Sequence, residues 1–117
     1  MYRIILLIFL AGCAHQDEWT KRDTIMQVGV TATIIGDAIL TARIKDHPTV
    51  YERGPIAKQF LGRQPKTQDV YLYMGTLIVT NYLISRAMPA KWRPYWQTAN
   101  MVHFGYMIYS NCQHDLC

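Results

Sequence analysis

Three long apolar stretches limit what this chain can become. Residues 25–44, 70–88 and 95–111 are rich in Ile, Val, Leu, Met and Tyr, and segments carrying Pro or Gly separate them. None shows the strict alternation of a half-buried strand, and the first reads as a helix of about five turns. The first is also long enough to cross a bilayer core, which takes about 20 residues. Asp23 or Thr24 is placed to cap the first helix and Asp69 the second, by accepting from exposed backbone N–H groups. Pro89 ends the second, since proline has no amide hydrogen and clashes with the preceding turn.

The polar residues inside these stretches carry the detail. Spacing by four puts Gly29, Thr33, Asp37 and Thr41 on one face, a small and polar stripe suited to close helix packing in lipid. The same stripe is also what an ordinary amphipathic helix presents to water. In the second helix Asn81 interrupts an apolar run. In the third, Trp96, Asn100, His103, Met107 and Ser110 share one stripe. The short basic connection 90–94 makes the second and third helices antiparallel neighbours. The segment 45–69 is different in kind. Pro48, Gly54, Pro55, Gly62 and Pro65 break it, and Arg53, Lys58, Arg63 and Lys66 make it basic. It is too long for a plain turn, so it is a candidate for function, including contact with phosphate headgroups. The tail 112–117 reads as polar and loose.

The expected fold is therefore all-α, a three-helix bundle with a loop after the first helix. Span length favours a membrane-embedded bundle, while a mean hydropathy of −0.02 fits a soluble one. With an exported N-terminus, three spans leave six Lys/Arg inside against five outside, a faint positive-inside bias. Three spans also carry Cys112 and Cys117 into a reducing compartment. A soluble bundle keeps them outside, where they can pair.

Ahead of the helices, Arg3 precedes a short apolar run from Ile4 to Ala11, which has the shape of an export signal. It ends in Leu10-Ala11-Gly12-Cys13, which resembles the lipobox of bacterial lipoproteins. The resemblance implies a signal peptide over 1–12, cleavage before Cys13, and a lipid such as palmitate on its thiol. It then implies a lipidated tether over 13–24, a three-helix domain over 25–111 and the tail 112–117. Ala14 follows the cysteine where an aspartate tends to retain such proteins in the inner membrane, so outer-membrane delivery is open as well as the cell membrane. Trp19 in the tether suits a half-wet lipid interface.

A second resemblance covers roughly residues 37–111. Asp37-Ala-Ile-Leu-Thr41, Glu52-Arg-Gly-Pro55, Leu61-Gly-Arg-Gln-Pro65 and Asn111 are similar to the ordered motifs of an uncharacterised group of small bacterial helical proteins. Gly54 stands where that group has asparagine, and residues 57–60 are extra. The resemblance implies a three-helix layout and brings no activity with it.

For chemistry, Asp37 is the sharpest candidate, because a carboxylate among apolar residues needs a partner or water. With Glu52 and His103 it makes a set able to move protons or hold a metal. The alternative is structural: Asp37 bonds to Thr41, Asn81 or His103 and specifies how the helices dock. His15, His47 and His114 read as solvated. The formal charge of +4 is scattered, with no Lys/Arg patch of a nucleic-acid site. No phosphate-cradling glycine loop, nucleophile elbow or HExxH occurs, and no cofactor is implied. The expected role is that of an envelope lipoprotein, structural or partner-binding, held to a bilayer through Cys13 and presenting its bundle to an envelope protein. Two alternatives remain: a small membrane enzyme or transport accessory using Asp37, Glu52 and His103, or an envelope modifier encoded by a phage or mobile element.

Overall fold

The computed structural model describes residues 17–52 and 55–117. Cys13, the run before it, Ala14, His15, Arg53 and Gly54 lie outside the described residues. The described chain is all-helical. Helix α1 spans Lys21–Ala42 and runs into a 3₁₀ turn at Arg43–Asp46; α2 is short, Pro55–Leu61; α3 spans Thr67–Ala87 and α4 spans Arg93–Gln113. The long apolar stretches are thus three long helices, with a fourth inside the segment 45–69.

The helix ends differ from expectation in instructive ways. α1 starts earlier than residue 25, because Thr20 is its N-cap. The Asp23 backbone N–H donates to Thr20 Oγ1 at 3.2 Å, and the Thr20 N–H donates to Asp23 Oδ2 at 3.0 Å. This reciprocal box satisfies two N–H groups that a helix start otherwise leaves open. Asp23 is therefore inside the first turn, as is Asp69 in α3, whose N-cap Lys66 makes no side-chain cap bond. α4 begins at Arg93 with Pro94 in its first turn, where a missing N–H costs nothing. At the end of α2, Gly62 adopts φ +75°, the left-handed conformation that stops a helix most cheaply in glycine.

The packing centres on α1, which lies along both α3 and α4, while α3 and α4 diverge and barely touch. Val30, Ile34, Ala38, Val70, Met74 and Phe104 form the main apolar core. Gly29 and Gly36 let α4 approach: a Cβ on Gly29 would lie 2.7 Å from Met101 Sδ, and one on Gly36 would lie 2.9 Å from Ile108 Cδ1. The expectation of a loose tail is overturned. Leu116 is buried with Leu40 and Ile44. Its N–H donates to the Asn111 carbonyl at 3.1 Å, and Arg43 Nη1 donates to its carbonyl at 2.8 Å. Cys112 and Cys117 are joined by a disulfide. Buried Leu116, the Arg43 bond and the disulfide together hold the tail back over the 3₁₀ turn.

Polar side chains are buried and large apolar ones are exposed in the same helices. Among the described residues ten apolar side chains are buried, but so are nine polar or charged ones. Eighteen large apolar side chains face outward, including Ile25, Val28, Ile35 and Ile39 on α1, Leu72, Val79 and Leu83 on α3, and Val102 on α4. Among the described residues, only the run Lys21–Asp46 is long and apolar enough by composition to cross a membrane, with a mean hydropathy of 1.5.

Candidate functional site

Two polar clusters lie at opposite ends of α1. The first joins α1, α3 and α4 near their Lys21, Ala87 and Arg93 ends. Arg93 is 0% exposed and uses all five of its N–H donors. Nη1 donates to Asp23 Oδ2 at 2.8 Å and to the Glu18 carbonyl at 3.2 Å; Nε donates to the Ser85 carbonyl at 2.8 Å. Nη2 donates to the Met88 and Asp17 carbonyls at 3.1 and 3.3 Å. The Met88 and Ser85 carbonyls are freed by the end of α3, so the guanidinium caps that helix as well as pairing with α1. From there a chain of amides runs inward. Gln97 Nε2 donates to the Asp23 carbonyl and to Gln27 Oε1, and Gln27 Nε2 donates to Asn81 Oδ1 at 3.0 Å. The sequence places Arg93 in the short basic connection 90–94 and marks Asn81 only as an interruption of an apolar run. The signal it lacked was pairing: Asp23 and Arg93 are seventy positions apart.

The second cluster contains the three candidates singled out from sequence. Asp37 lies on α1 and is 3% exposed; its Oδ1 accepts from Thr41 Oγ1 at 3.2 Å and from Asn111 Nδ2 at 2.9 Å. The expected partner Thr41 is thus present, whereas Asn81 belongs to the other cluster. Glu52 is 7% exposed and reaches the same place from the loop. Its backbone N–H donates to the Arg63 carbonyl at 2.8 Å, which ties the two halves of the 45–69 segment together. Gln64 donates to the His47 and Val50 carbonyls, and Pro65 is buried. Asp37, Thr41 and Glu52 line one cavity, and Asn111 is bonded to Asp37 beside it.

Asp37, Glu52 and His103 all line one cavity of about 380 Å³. It occupies the gap left where α3 and α4 diverge, with α1 as floor and the start of α2 closing one end. Tyr73, Met74 and Leu77 come from α3, and Asn100, Phe104 and Met107 from α4. His103 is not a core histidine. It is exposed at the cavity's edge, its ring 5.0 Å from that of Phe104. Among the described residues no three His, Cys, Asp or Glu side chains gather as a metal site would require.

Around the outside, aromatic and basic residues mark both ends of the long helices. At one end Arg86 stacks on Trp19 at 4.6 Å, and Tyr82 meets Trp19 edge-on at 5.8 Å. Trp19 Nε1 donates to Thr24, so this residue of the expected tether is held against α1. Trp92 and Tyr95 are exposed at the same end. At the other end Tyr51, Tyr71, Tyr106 and Tyr109 are exposed, with Lys58, Arg63 and Lys66 also on the surface. No protein-family model, curated protein or solved structure matches this chain.

Proposed function

We propose that this chain is an envelope lipoprotein whose three long helices form a bundle inside the membrane, where it serves as a structural or partner-binding component. The observation that carries this reading is the inverted polarity. Buried amides and the Asp23–Arg93 ion pair lie inside beside a small apolar core, and many aliphatic and aromatic side chains face outward. In water such a surface is a liability, but in lipid it is the expected one, because polar side chains there turn toward the bundle interior. Residues 24–42 of α1 carry one charged side chain, the buried Asp37; residues 70–85 of α3 and 94–112 of α4 carry none apart from the titratable His103. At 1.5 Å per residue these belts measure about 24–29 Å, close to the hydrocarbon thickness. Average hydropathy undervalues α3 and α4 because it mixes their inward amides with their outward apolar faces. The aromatic residues at both ends fit the two interfaces.

The address comes from Cys13. We expect labelled palmitate to enter the wild-type protein and not Cys13→Ala. Both should stay in the membrane after alkaline carbonate extraction, since the helices hold the bundle independently of the lipid. Release of Cys13→Ala into the soluble fraction would mean that the lipid alone anchors a water-soluble bundle.

The tail offers a test of which membrane is crossed. From a lipidated N-terminus, three crossings carry residues 112–117 to the opposite side. A disulfide such as Cys112–Cys117 persists in oxidising compartments. Crossing the inner membrane would bring it into the cytoplasm, whereas crossing the outer membrane would bring it to the cell surface. Ala14 permits the second. Intact cells treated with a membrane-impermeant reductant and then an impermeant maleimide should label this pair. Labelling only after lysis, without reductant, would place the tail in the cytoplasm and the bundle in the inner membrane.

A further inference from the structure

A groove follows α1 where α3 lies beside it, with no residue of α4 among its described walls. Its volume is about 580 Å³, within the range of small-molecule sites, about 300–1,000 Å³. Thr24, Val28, Thr31 and Ile35 recur along α1 at spacings of three and four, so the groove tracks one helix face for about 16 Å. Its chemistry changes along that length. Trp19, Tyr82 and Arg86 stand at the Lys21 end of α1, while Val28, Ala32 and Ile35 make the remainder apolar.

The polar end is held in place. Arg86 Nε donates to Tyr82 Oη at 2.9 Å, and the guanidinium lies 4.6 Å from the Trp19 ring centre. That ring is itself fixed, by buried Arg93 at 5.0 Å and by the bond from its Nε1 to Thr24 Oγ1 at 2.8 Å. Among the described residues no Asp or Glu lines the groove, and Arg86 forms no salt bridge. The two terminal nitrogens of its fork are left for an anion.

We propose that this groove binds one anionic phospholipid, with its phosphate on Arg86 and one acyl chain along Val28, Thr31, Ala32 and Ile35. The order of polarity along the groove is that of the lipid: charge at the aromatic interface end, hydrocarbon toward the middle of α1. A guanidinium fork matches two phosphate oxygens at once. The small side chains of Thr31 and Ala32 leave room for the chain. The site rests on the membrane setting proposed above, and the two fail separately. Release from membranes by carbonate would overturn the setting, whereas a membrane-retained protein without lipid preference would overturn only the site.

The test is native mass spectrometry of the full protein, purified from membranes in detergent. The probes are dioleoylphosphatidylglycerol and dioleoylglycerol, which share their chains and differ in the charged head. Wild type should hold the phosphatidylglycerol at least about tenfold more tightly. Arg86→Gln should abolish that preference. Lys91→Gln, which removes a charge at the same end outside the groove, should leave it intact. Ala32→Trp, at an exposed position in the wall, should weaken binding of both lipids severalfold, and this variant decides if Arg86→Gln does not fold. Equal affinity of wild type for both lipids, binding of neither, or a preference undiminished in folded Arg86→Gln would overturn the proposal. So would an equal loss in Lys91→Gln, unchanged binding in Ala32→Trp, or displacement of the lipid by inorganic phosphate, which would assign Arg86 to a free anion.

Discussion

Arg93→Ala is expected to cost about 3–5 kcal/mol of stability, enough to deplete the folded protein at ordinary growth temperature. The guanidinium is fully buried, so its loss is not that of a surface salt bridge, which would be worth at most about 1 kcal/mol. Removing it strands the Asp23 carboxylate in the interior and leaves the Ser85 and Met88 carbonyls without a donor at the end of α3. Arg93→Lys should recover only part of the loss, because an ammonium is a point donor and cannot reach five acceptors spread around a planar fork. The companion experiment is a double substitution. Asp23→Leu with Arg93→Met should be more stable than Arg93→Met alone by at least about 1 kcal/mol, since the stranded charge is then gone. Thermal unfolding in detergent, followed by helical circular dichroism, reads all four variants. An Arg93→Ala protein that melts with the wild type would mean that the buried fork does not hold the three helix ends together.

The second large effect concerns a residue that touches nothing of note. Val102 lies midway along α4 and is 67% exposed. If α4 faces lipid, Val102→Arg puts a charge near the bilayer centre at a cost of about 2.5–3.5 kcal/mol, and the amount of protein in the membrane should fall sharply. If the bundle lives in water, the same substitution on an exposed helix face changes stability by no more than about 0.5 kcal/mol and improves solubility. The two settings therefore predict opposite outcomes from one variant. Ile35→Arg, on the outer face of α1, should behave as Val102→Arg does; a pair of variants that accumulate normally in a soluble form would remove the membrane from the reading.

The candidate cavity was partly legible before the fold was known. Asp37 stands out in an apolar helix, and spacing by four already aligns it with Thr41, the residue that donates to it. Glu52 and His103 were named with it, and they line the same cavity. Asn111 was marked only by resemblance, yet it makes the shorter of the two bonds to Asp37. The other cluster was not legible. Arg93 is flanked by Lys91, Trp92 and Pro94, and nothing in that neighbourhood distinguishes a buried arginine from a wet one. The tail misled in the opposite direction, since a single leucine and two cysteines outweighed the polar residues between them.

Local chemistry decided much by itself: helices rather than strands, their approximate lengths, the break over 45–69, and which residues within one helix share a face. Those properties depend on neighbours three or four positions apart, and the chain holds them in any tertiary setting. What only the assembled helices decided is which polar residue meets which. The Asp23–Arg93 pair, the Gln97–Gln27–Asn81 chain of amides and the gap between α3 and α4 arise from the register in which α1 lies against two other helices. A shift of one residue turns a helix by about 100°, so these contacts exist only once the long-range packing has chosen that register.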